Sequence, residues 1–157
     1  MRLRSGLLAG ALALVAVPAF AATPDPIHLG EIQLKLVYRQ SGTLSTDILH
    51  RDPPASAFNL VIGGIDEGGP ADDAVVMVPV IGPKDSEEFS DVPLIVRVRQ
   101  GRKIIAARTF GGALTQPGGA DWKVLYLPDV TCAGTIAIEA VRGAERKIAS
   151  FDFVCGE

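Results

Sequence analysis

The chain has 157 residues, 48% of them hydrophobic and 21% charged, with a formal net charge of −3. That acidic balance argues against a nucleic-acid ligand, because phosphate binding calls for a dominant basic surface. With two histidines and two cysteines in all, and the cysteines expected to pair with each other, an ordinary zinc site is excluded as well.

The first residues, MRLRSGLLAGALALVAVPAFAA, are organised as an export signal. Arg2 and Arg4 form a positive n-region and residues 6–17 a continuous run of small apolar residues. Pro18 ends that run, and Ala19-Phe20-Ala21 supplies the small residues that cleavage requires. The run is shorter than the about 20 residues of a bilayer span, and no second run of that length follows. No cysteine lies near the cleavage position, which argues against a lipid-modified N-terminus. The sequence therefore predicts a signal peptide over 1–21, a flexible segment over 22–30 and a single domain over 31–157. Cleavage after Ala21 leaves 136 residues (157 − 21) and, by removing Arg2 and Arg4, takes the net charge from −3 to −5. That length suits one domain with its own core. The expected location is periplasmic or secreted, with no stable membrane insertion once the leader is gone.

Past the leader, apolar residues alternate with polar ones. In EIQLKLVYR, Ile32, Leu34, Leu36 and Tyr38 fall on one face, with Glu31, Gln33, Lys35 and Arg39 opposite, the period of a half-buried strand. Further strands are expected over 58–62, 74–80, 92–99, 103–110, 122–127, 134–141 and 146–154. They are punctuated by RDPP, EGGP, IGPKD, FGG, QPGGAD and LPD. STDILH is the one hint of a helical turn, with Ser45 as its cap. Short strands at this spacing predict an all-β fold, an antiparallel β-sandwich of the immunoglobulin-like kind with about 7–8 strands. The antibody-type signature is absent, because Trp122 precedes both cysteines instead of lying between them.

Two hairpins can be registered from the sequence. In VRVRQGRKIIA a turn at Gln100-Gly101 pairs Arg99 with Arg102, Val96 with Ile105 and Leu94 with Ala107. One face is then apolar, while the other face and the tip carry Arg97, Arg99, Arg102, Lys103 and Arg108. In the last hairpin, glycine at the first central position of a Gly143-Ala144 turn suits type II′. That turn sets Arg142 opposite Glu145, Ile138 opposite Ala149 and Ile136 opposite Phe151. Cys132 and Cys155 are equidistant from the same turn, so the register places them across from each other. In an oxidising compartment they are expected to form a disulfide that fastens the C-terminal strand with about 3 kcal/mol on the chain-entropy estimate.

Candidate chemistry is sparse. His50, with Asp47 and Asp52 near it and Ser45 or Ser56 as a nucleophile, is the only seed for a hydrolase. No G-x-S-x-G elbow, H-E-x-x-H, phosphate loop or C-x-x-C appears. Asp66, Glu67, Asp72 and Asp73 precede one strand, and Asp85, Glu87, Glu88 and Asp91 follow it. A strand of roughly eight residues holds the two groups about 25 Å apart, so they cannot share an ion. The first group, in the glycine-rich loop 66–73, is the candidate calcium site. The basic residues Arg97, Arg99, Arg102, Lys103 and Arg108 are a candidate surface for an acidic protein or glycan, or serve to protect a sheet edge. Trp122, Val124 and Tyr126 share one face of their strand, and core packing is the expected role of the tryptophan.

The stretches KLVYRQSGTLSTDIL, NLVIGGIDEGGPADD and LPDVTCAG…FDFVCGE resemble small exported proteins of Gram-negative bacteria with an immunoglobulin-like β-sandwich, a group without an assigned function. The likeness runs across the mature chain, in its length, its acidic glycine-rich loop and its paired cysteines. It implies export and that architecture, and it brings no catalytic or ligand residues. Taken together, the residues point to an exported binding or interaction module that is not an enzyme and needs no cofactor. The alternatives are a calcium-dependent binding domain built on loop 66–73 and a hydrolase centred on His50.

Overall fold

The structure, a computed structural model, describes residues 25–51, 57–58, 71–130 and 133–154. These residues contain no helix, and their eleven strands run in chain order as β1 (His28–Leu29), β2 (Gln33–Val37), β3 (Ala57–Phe58), β4 (Asp73–Ile81), β5 (Glu88–Ser90), β6 (Leu94–Gln100), β7 (Lys103–Phe110), β8 (Ala113–Thr115), β9 (Ala120–Leu127), β10 (Gly134–Arg142) and β11 (Glu145–Val154). In one sheet, here called sheet A, β4 pairs with β9 and with both β1 and β2, which meet opposite ends of it. The second, sheet B, has the order β3-β11-β10-β6-β7, and β5 with β8 forms a small two-stranded ladder. All pairings are antiparallel except β3 with β11.

The period-2 pattern explains how the sheets meet. Leu34 and Leu36 of β2, Val76 and Val78 of β4, and Leu127 of β9 turn inward from sheet A. Val96 and Val98 of β6, Ile136 and Ile138 of β10, and Phe151 and Phe153 of β11 turn inward from sheet B, and all join one buried cluster. Burying one face of each sheet against the other is the arrangement of a β-sandwich.

Ile32, Leu34, Leu36 and Tyr38 are buried on one face, as their alternation predicts. The helical turn over STDILH does not form. Instead residues 44–48 run beside β2. The Ser45 and Ile48 N–H groups donate to the Leu36 and Leu34 carbonyls at 3.0 and 2.8 Å. In return, the Leu36 and Leu34 N–H groups donate to Ser45 Oγ at 2.9 Å and Asp47 Oδ1 at 3.0 Å. Side-chain oxygens thus complete the β2 edge, which is the competition that keeps Ser and Asp out of helices.

The last hairpin has the expected register, including Arg142 with Glu145, Ile138 with Ala149 and Ile136 with Phe151, and it continues without a bulge to Gly134 with Phe153. Gly143 sits at φ 56° and Ala144 does not have a positive φ, as a type II′ turn demands. The β6–β7 register is a correction. The turn lies at Gly101-Arg102, with Gly101 at φ 57° in the first central position, so Gln100 faces Lys103. A bulge between Val98 and Arg99 then sets Val96 opposite Arg108 and Leu94 opposite Phe110. The residue gained there, Ile105, packs with Ala106 against the core, so the bulge turns one more apolar side chain inward.

Within the segment 22–30, residues 25–30 form a strap. Ile27 and Leu29 are buried, and Leu29 pairs with Val80. The strap is stitched to the far hairpin. The Leu29 N–H donates to Glu145 Oε2 at 2.7 Å, and Lys147 Nζ donates to Glu31 Oε1 at 2.5 Å. Arg142, 3% exposed, donates from Nη1 to the Ile27 carbonyl at 2.9 Å. Its Nη2 donates to Asp25 Oδ2 at 2.7 Å and to Ser90 Oγ at 2.6 Å. One buried guanidinium therefore joins the strap, β5 and β10.

Candidate functional site

Strand β9 puts Leu125 and Leu127 into the core opposite Val76 and Ala74. The other parity, Trp122, Val124 and Tyr126, necessarily faces outward, and these residues are 43%, 38% and 51% exposed. The expected core role of Trp122 is thus overturned, because the two leucines claim the inward parity. Across the ladder, Trp122 faces Pro79, Val124 faces Met77 and Tyr126 faces Val75. Pro79 and Val75 are buried although they point outward, covered by the residues around them.

The phenol of Tyr126 is tethered. Its hydroxyl donates to Asp73 Oδ2, while the Asp129 N–H donates to Asp73 Oδ1 at 2.9 Å. The Tyr126 hydrogen bond and the Asp129 N–H hold the Asp73 carboxyl below its ordinary range, and the same bond to Asp73 raises the Tyr126 phenol above its own. A half-exposed ring fixed at its polar end loses little rotamer entropy when another surface covers it. The result is a row of two aromatic rings and a valine beside Met77, with the Asp73 carboxylate already engaged.

The basic hairpin residues do not form one surface. Arg97 and Arg99 point outward from sheet B, and Arg102 and Lys103 lie at or beside the turn. Because of the bulge, Arg108 lies on the parity of Val96. There its guanidinium stacks over Phe110 at 4.6 Å and Nη1 donates to the Val124 carbonyl at 3.3 Å, closing the seam between β7 and β9. Arg97 pairs with Glu139 at 3.5 Å, and so does Arg146, at 2.7 Å. Glu139 and Arg146 went unnoticed in the sequence because they belong to a different hairpin from Arg97. The Arg146 hydrogen bond, opposed by partial burial and reinforced by the Arg146 and Arg97 charges, keeps the Glu139 carboxyl below its usual value.

Of the acidic loop, Asp66 and Glu67 lie outside the described residues. Asp72 pairs with Arg39, and Asp73 is engaged as above. Among the described residues no group of three or more His, Cys, Asp or Glu side chains is placed to hold a metal ion. His50 Nδ1 lies 2.6 Å from Asp47 Oδ2, which is two-thirds of a triad by residue type. The hydroxyl of Ser45, however, donates to the Thr46 carbonyl at 2.6 Å and accepts the Leu36 N–H, so it is committed to the β2 edge. Ser56 and Asp52, like Cys132, Cys155 and the expected leader over 1–21, lie outside the described residues. Among the described residues no helix is long and apolar enough to cross a membrane. No protein-family model and no curated protein matches the chain.

Proposed function

We propose that the chain is an exported, non-enzymatic interaction module that docks a protein partner on the outward face of sheet A. The observation that carries this reading is the exposed row Trp122, Val124 and Tyr126 with Met77 beside it. Aromatic residues and methionine are enriched where protein interfaces are fully covered, and Trp and Tyr lead among the residues that dominate binding energy. A protein suits the row better than a glycan does. Aliphatic Val124 separates the two rings, and the Asp73 carboxylate bonded to the Tyr126 ring is held by Tyr126 and the Asp129 N–H.

The rest of the reading follows the same architecture. Two mainly antiparallel sheets over one core support an immunoglobulin-like sandwich, a fold that carries no function of its own. Export to the periplasm or beyond rests on the leader at 1–21, and the disulfide Cys132–Cys155 rests on the unbulged register of the last hairpin. Thiol counting by mass spectrometry on the exported protein is expected to find neither cysteine free. Two free thiols remove the bridge from this account.

The functional reading is tested with Trp122→Ala/Tyr126→Ala in the mature chain. The variant is expected to stay folded with a melting temperature lowered by a few degrees, because the two half-buried rings cover Val75 and Pro79 and Tyr126 holds Asp73. Capture of the partner from the exported fraction of the native cell is expected to fall at least about 10-fold, the loss of two anchor residues. A double variant that retains its partner contradicts the assignment.

A further inference from the structure

We propose that the outward face of sheet B holds a second, separate site, which takes a carboxylate side chain of an extended acidic peptide on Arg99. Three arginines, Arg97, Arg99 and Arg146, and two carboxylates, Glu139 and Asp152, share this face. Glu139 Oε1 accepts from Nε and Nη2 of Arg146 at 2.8 and 2.7 Å, and Oε2 accepts from Nη1 of Arg97 at 3.5 Å. Both acceptor atoms are therefore spent on two guanidiniums. Arg99 stands one row along the ladder, opposite Ala137 and Ile104, and among the described residues it has no acidic partner. Between these groups lies an open groove of about 300 Å³, bordered by Arg99, Ala137, Glu139, Arg146 and Ile148.

The charge and shape of this groove select its occupant. A face with one net positive charge, three arginines against Glu139 and Asp152, on a chain whose net charge is negative, attracts an acidic ligand and steers its approach. Glu139 stays in the groove, so a dianion such as a phosphate ester would meet a carboxylate there, whereas a single carboxylate matches the one open guanidinium. Ile148 and Ile104, 61% and 48% exposed, and the methyl of Ala137 offer apolar contact and few partners for sugar hydroxyls. An extended peptide presents alternate side chains to one side, and can set an acid on Arg99 with aliphatic neighbours on the isoleucines. In this arrangement Glu139 is a positioning residue that holds Arg146 at the rim.

The test is an amide-resolved NMR titration of the mature chain with three probes. These are a synthetic peptide of alternating valine and glutamate, the same peptide with glutamine for glutamate, and a sulfated oligosaccharide. The acidic peptide is expected to shift the amides of Arg99, Ala137 and Ile148 and to saturate, with an affinity that falls as salt rises. The glutamine peptide and the Arg99→Ala variant are each expected to bind at least about 10-fold more weakly, the loss of one charge-assisted contact. Trp122→Ala/Tyr126→Ala is expected to bind the acidic peptide as the parent does, which separates this site from the face of sheet A. Shifts elsewhere, equal binding of the glutamine peptide, an unaffected Arg99→Ala variant, or a sulfated oligosaccharide that outcompetes the acidic peptide would each overturn the proposal.

Discussion

Arg142→Ala is expected to lower the unfolding free energy by about 3 kcal/mol, roughly 10 °C in melting temperature for a domain of this size. The cost is large because the guanidinium is buried and serves three acceptors at once: the Ile27 carbonyl, Asp25 and Ser90. Removing it strands those groups, which costs more than the intact pair contributes. The figure sits at the low end of the usual range for breaking a buried pair because Asp25 keeps 32% of its side chain in solvent and can rehydrate. Thermal melts of the mature protein check it, and a shift under about 2 °C would contradict the node.

The same node has a pH signature. Burial alone would raise the Asp25 carboxyl, but the Ile27 N–H, the Ser90 hydroxyl and the bond and charge of Arg142 together bring it below its ordinary 3.8. The unfolded chain therefore takes up a proton before the folded one does. Stability from this group is complete above pH about 5 and is lost as pH falls through the folded value. In Arg142→Ala the folded carboxyl returns toward its ordinary range, so the difference between parent and variant narrows as pH drops below about 4. Glu31, Asp73 and Glu139 are also held low, and they give both proteins a shared acid sensitivity.

Phe153→Ala is expected to cost about 4 kcal/mol, and Ile148→Ala on the same strand less than about 0.5. Phe153 is 1% exposed and meets Phe151 edge-on, with ring centroids 4.9 Å apart. Its cross-strand neighbour on β10 is Gly134, which has no side chain to fill the space left behind. Ile148 lies on the opposite parity, largely in solvent. Urea midpoints for the pair test which face of β11 belongs to the core, and similar losses would contradict the register.

How much of this was legible in the sequence depended on the length of each element and on how local its cause was. The last hairpin was readable to the residue because glycine selects its turn and no bulge interrupts it. The β6–β7 hairpin uses the same turn chemistry one residue further along, and its bulge adds a residue for which local sequence carries no sign, so its register and the grouping of Arg108 with Arg97 and Arg99 both failed. Strands β1, β5 and β8, with two or three residues each, are too short to show a period. Ser45 looked like a helix cap because the same hydroxyl chemistry serves an edge strand. On β9 the aromatics drew attention inward, while Leu125 and Leu127 decided the parity. Arg142 and its partners Asp25 and Ser90 are joined only by tertiary packing, as are Arg146 and Arg97 around Glu139, and such groupings have no local signature.

The central claim is that the row on β9 is where a partner binds. Its most direct measurement is site-specific photo-crosslinking of the protein in its native cell. A photoreactive side chain is placed at Trp122 or Tyr126, and at Asp91, exposed between β5 and β6 and off both proposed faces, as the reference. A single adduct of defined mass from positions 122 and 126, and none from 91, is the predicted result. No adduct from the β9 positions, or the same adduct from all three, would contradict it.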